Sequence, residues 1–72
     1  MGTTFQTDLE DARRRVAEGL ERVREQLTHV ERLNREGKPI RDALALLATM
    51  RETVAHMETH LRYLVETEGR QQ

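Results

Sequence analysis

Glu36-Gly37-Lys38-Pro39 is the interruption that divides this chain, because helical periodicity runs up to it and resumes after it. Before it, apolar residues return every three or four positions from Val16 onward: Val16, Leu20, Val23, Leu27 and Val30, with Leu9 one heptad earlier. That spacing is the signature of one helix face. With Val16 at heptad position d, the d column is Leu9, Val16, Val23 and Val30. The a column is then Arg13, Leu20, Leu27 and Asn34. After the interruption the seam is more regular, with Ile40, Leu47, Val54 and Leu61 at a and Ala43, Met50, Met57 and Leu64 at d. Both halves read as coiled-coil-like seams, with Met50 and Met57 in the core.

The interruption has the chemistry of a helix end followed by a helix start. Gly37 suits the left-handed C-cap conformation, and Pro39 suits the first turn of the next helix, where its missing N–H costs nothing. Thr7-Asp8-Leu9-Glu10 fits a capping box at the first helix start. Phe5, one turn before Leu9, allows an earlier start at Thr3 or Thr4. Gly69 and the polar residues after it suit a terminus. The expected fold is all-α: helices at about 7–35 and 39–67, each roughly 43 Å long. Residues 1–6 and 69–72 are expected as frayed tails of a single domain, 1–72. A link this short between equal helices folds them back as an antiparallel hairpin.

Antiparallel a-to-d packing predicts the layers Val16 with Leu61, Leu20 with Met57, Val23 with Val54, Leu27 with Met50, and Val30 with Leu47. On one flank the g positions then meet: Leu33 with Leu46, Gln26 with Thr53, and Gly19 with His60. Gly19 is expected as a close-packing position that leaves room for the imidazole of His60. On the other flank the e positions meet, including the like-charged pair Arg24 and Arg51. The g flank of the second helix continues as an uncharged stripe of Leu46, Thr49, Thr53, His56, His60 and Tyr63.

Composition narrows what such a hairpin can do. The chain has 72 residues, and one this short seldom holds together without a staple or a partner. It has no cysteine, so disulfides and thiolate sites are excluded. Self-association into a four-helix bundle is the expected remedy, commonly as a C2 homodimer. The expected interface is Leu33, Leu44 and Leu46 near the turn, continued by Thr49, Thr53, His56, His60 and Tyr63. Formal net charge is -1, which argues against nucleic acid bound through bulk electrostatics. No apolar run approaches the roughly 20 residues of a membrane span. The start MGTTFQTDLED lacks a secretory pattern, so a cytoplasmic protein is expected.

The stretch HMETH, residues 56–60, is the part of the chain that looks like chemistry. His56 and His60 share a helix face, and Glu52 lies one turn further back. This ladder offers two or three ligands, whereas a structural zinc site takes about four and a catalytic one about three plus water. No Glu-x-x-His pair of the di-iron carboxylate type occurs. The two histidines are therefore read as neighbours of a helix seam, and no metal or cofactor is assigned. A pH-sensitive interface involving His60 is an alternative. His29, at position c, is expected to be solvated. Arg13-Arg14-Arg15 has acidic neighbours at helical spacing in Asp8, Glu10, Asp11 and Glu18, so it is read as a salt-laced solvent face. There is no nucleophile–base pair, phosphate loop or calcium loop, and no enzyme activity is expected.

The run RVAEGLERVREQLTHVERLNREGKPIRDALALLATMRETVAHMETHLRYL resembles small helical-hairpin proteins of alphaproteobacteria. The resemblance rests on Gly19, Gln26, Gly37, Ala43, Leu46, Leu47, Thr53 and His60. Lys38-Pro39 departs from the pattern, in which Asp or Thr is more usual at the turn. The family has no established activity, so the resemblance implies a bacterial hairpin and adds no catalytic or binding residue. The function expected from the whole sequence is a non-enzymatic helical interaction or regulatory protein that self-associates and binds a protein partner. A metal- or small-ligand-binding bundle using His56, His60 and a carboxylate is the second reading, and a small transcriptional regulator the third.

Overall fold

A computed structural model describes the backbone of residues 3–71 and the side chains of residues 6–67. Two helices, α1 (Thr3–Arg35) and α2 (Arg41–Gln71), fold back on each other as an antiparallel hairpin. The molecule is a rod of 55 × 15 × 12 Å. No described helix is long and apolar enough to cross a membrane.

The turn is built on glycine. Gly37 has φ +70°, the left-handed conformation that a side chain disfavours. Its N–H donates to the carbonyl of Asn34 (3.1 Å), and the N–H of Lys38 donates to that of Leu33 (2.9 Å). These two bonds form a Schellman motif and satisfy carbonyls left over at the end of α1. The motif uses the chain through Lys38, so only Pro39 and Ile40 remain to reach α2. Pro39 therefore precedes the helix instead of lying in its first turn, and the bond from Leu44 N–H to Ile40 carbonyl (2.8 Å) opens α2. Nothing lies within 4 Å of a Cβ built on Gly37. Gly37→Ala should thus lose stability through backbone strain alone, by about 1 kcal/mol. A lowered urea midpoint with an unchanged slope is the expected measurement.

Both helices extend beyond the expected bounds. α1 begins at Thr3, which places Thr7 and Glu10 inside the helix and leaves no capping box at Thr7. α2 runs through Gly69 to Gln71, since an internal glycine weakens a helix by about 1 kcal/mol without stopping it. Of the expected tails, Thr3–Gln6 and Gly69–Gln71 are helical, and residues 1, 2 and 72 lie outside the described residues.

The packing of α2 follows its heptads. Leu47 and Val54 are each 5% exposed, and Met50, Met57, Leu61 and Leu64 are half-buried. α1 is rotated by one heptad column. Its inner face is d and g: Val16 and Val23 are half-buried, Val30, Ala12 and Gly19 are buried, and Gln26 and Leu33 are half-buried. Its a column turns outward, leaving Leu20 40% and Leu27 38% exposed.

The reason is the size of the g column. Ala12 and Gly19, seven residues apart, let the α2 backbone approach, and the larger residues of α2 fill the shared space. Val54 lies so close over Gly19 that an added Cβ would stand 2.8 Å from Val54 Cγ2 and 3.5 Å from Met57 Sδ. Gly19 is thus a position of close approach, but its neighbours are Val54 and Met57, not His60. Val54 thus lies over Gly19, a neighbour that a-to-d pairing does not give it. Gln26 donates from Nε2 to the Ala43 carbonyl (2.9 Å), not to Thr53, so the g column also carries a polar link between the helices.

Candidate functional site

Rotation of α1 brings Asp8, Arg15 and His29 of its c column to the flank where α2 presents Leu46, Thr53 and His60. Two hollows lie along that flank. Toward the open end of the hairpin, Asp8, Asp11, Ala12 and Arg15 of α1 face His56, Met57, His60 and Leu64 of α2 across an open groove of about 400 Å³. Ala12, Met57 and Leu64 supply its apolar surface, and the imidazoles, carboxylates and guanidinium form its polar walls. Nearer the turn, Gln26, His29, Leu33, Pro39, Asp42, Ala43 and Leu46 line a hollow of about 340 Å³.

His56 and His60 therefore do share one surface, as their spacing requires, and they face acidic residues across it. They are exposed, and His60 does not pack over Gly19. His60 is thus not buried within the hairpin, contrary to the expectation. Glu52 is exposed and takes no part in lining the groove. Asp11 is held by Arg14 at 2.7 Å. Among the described residues no group of three or more His, Asp or Glu side chains could hold a metal ion. What remains is an open groove of mixed charge.

Other polar positions have local explanations. Arg14 pairs with Asp11 and, at 3.8 Å, with Glu18, so it belongs to the salt-laced face that the acidic neighbours predict. Arg15 lines the groove instead. His29 is half-buried and not simply solvated: its Nδ1 lies 2.7 Å from Arg32 Nη2. The guanidinium can only donate in this contact. The threonines of α2 bond back to their own helix. Thr49 donates to the Ala45 carbonyl (3.2 Å) and Thr53 to that of Thr49 (3.1 Å), so neither hydroxyl reaches α1.

The expected interface divides between two flanks. Leu46 (51% exposed) lies with Thr53 and His60 on the groove flank, where Thr49, His56 and Tyr63 (62%) are also exposed. Leu33 is half-buried at the turn hollow. Leu44 (44%) lies on the opposite flank, in one column with Val65 (47%) and beside the outward-turned Leu20 and Leu27. Heptad assignment hides Leu20 and Leu27, because it places both in the core. The spacing of Ala12 and Gly19 is the signal that could have revealed them.

Searches against protein-family models, curated proteins and solved structures find no match to this chain.

Proposed function

We propose that this chain is a non-enzymatic helical interaction protein, acting in the cytoplasm as a homodimer of hairpins that offers its remaining faces to a protein partner. The observation that carries this reading is how little the hairpin buries. Among the described residues the buried hydrophobic ones are Ala12, Val30, Leu47 and Val54, while Leu20, Leu27, Leu44, Leu46, Tyr63 and Val65 are exposed. Ordering a chain costs about 1.5 kcal/mol per residue, and one narrow seam offsets little of that. A second copy would cover apolar surface and complete a bundle of four helices.

The metal-binding reading has less support, since among the described residues His56 and His60 lack further ligands. A transcriptional regulator has less still, with a net charge of -1. Sedimentation equilibrium at micromolar concentration tests the proposal. The expected mass is twice the 8.4 kDa of the chain. A fully helical species sedimenting at 8.4 kDa would overturn it.

A further inference from the structure

Exposed apolar side chains lie on both flanks of the hairpin, but only one flank is complementary to itself. On the groove flank, Leu46 and Tyr63 are separated by threonines and histidines. On the other, α2 presents Leu44, Arg51, Glu58 and Val65 at intervals of one heptad, all exposed. Arg51 and Glu58 make no ion pair with any described residue of their own chain. Two helical turns separate them, roughly 10 Å along the axis, too far to pair with each other.

From Leu44 to Val65 the column reads apolar, basic, acidic, apolar, and in reverse it reads apolar, acidic, basic, apolar. A second copy laid antiparallel along it would set Leu44 against the partner's Val65 and Arg51 against the partner's Glu58, with both contacts repeated by symmetry. Laid parallel, it would set Arg51 against the partner's Arg51 and Glu58 against the partner's Glu58, which is repulsive. Ala55, one turn from both Arg51 and Glu58, is small enough to let the backbones approach at the centre.

We infer that the second copy docks antiparallel along this column, α2 against α2, about a twofold axis near Ala55. This rests on the self-association proposed above and supplies its geometry. Because Val54 lies over Gly19, the same axis crosses α1 near Gly19. It brings Leu20 level with the partner's Ala17. The least favourable layer brings Arg24 level with the partner's Arg13, and there Glu21, 3.2 Å from Arg24, supplies a compensating charge. The histidine groove lies on the opposite flank and stays open.

Charge reversal tests the geometry, with dissociation constants measured by sedimentation for the full chain. Arg51→Glu and Glu58→Arg should each weaken the dimer about tenfold or more, because symmetry doubles every like-charge contact. The double variant restores opposite charges only between chains, and should return to within about threefold of wild type. A wild type that is a folded monomer would overturn self-association and this geometry together. A dimeric wild type whose double variant fails to recover would overturn the geometry alone.

Cross-linking gives a second readout that does not depend on charge, since the chain has no native cysteine. With a short bismaleimide, Ala55→Cys should link to itself, and Leu44→Cys should link to Val65→Cys in mixed samples. Efficient linking of Val65→Cys to itself would mean a parallel pair and would overturn the proposal.

Discussion

Leu47→Ala should cost about 2–5 kcal/mol and leave much of the chain unfolded at room temperature. Leu47 is 5% exposed and is one of the few buried side chains among the described residues. A small domain has at most about 5–15 kcal/mol of stability, and so short a chain lies at the low end. Truncation leaves a cavity at the seam that two rigid helices cannot easily close. Leu27→Ala is the instructive comparison. Heptad pattern alone gives Leu27 the same core status, but it is 38% exposed on the outward-turned a column. Its truncation should cost less than half as much. Circular dichroism melts of both variants at one protein concentration decide the matter. Equal losses that persist at concentrations where the protein is monomeric would mean that α1 presents its a column to α2, contrary to the structure.

Gly19→Ala should destabilise the hairpin even though alanine is the better helix former. The propensity gain is about 1 kcal/mol. Against it stands a Cβ that would lie 2.8 Å from Val54 Cγ2, inside contact distance. Valine cannot swing away cheaply, because its χ1 in a helix is largely confined to one rotamer. Overpacking of this kind costs about 1–3 kcal/mol, so the net effect is a loss. Removing the obstructing methyls should reverse the sign, so Gly19→Ala placed in a Val54→Ala background should be neutral or stabilising. A double-mutant cycle from denaturant melts should therefore give a clear coupling between the two positions. Additive effects would show that Val54 does not sit over Gly19.

Part of the candidate site was legible in the sequence. Spacing of four put His56 and His60 on one face, and that holds in any helix. Their companions were not legible. Asp8, Asp11 and Arg15 reach the same groove only because α1 is rotated about its own axis, and rotation leaves no mark on the periodicity of α2. Gln26 shows the same limit: it is half-buried and bonds to the Ala43 carbonyl, an acceptor that no side-chain pairing rule considers.

Residue order alone set the two helices, the turn between them and the antiparallel return. These follow from local causes: a sustained helical period, a glycine able to adopt a positive φ, and a proline that cannot continue a helix. It also determined the inner face of α2, where apolar residues occupy a and d without a break. The face that α1 turns inward was decided by tertiary structure. Its a column holds Leu20 and Leu27 and its g column holds Ala12 and Gly19, so hydrophobicity favours the first and close approach favours the second. Close approach prevails because two helices gain contact along their whole length when their axes draw together. The cost is two leucines left on a flank that only another molecule can cover.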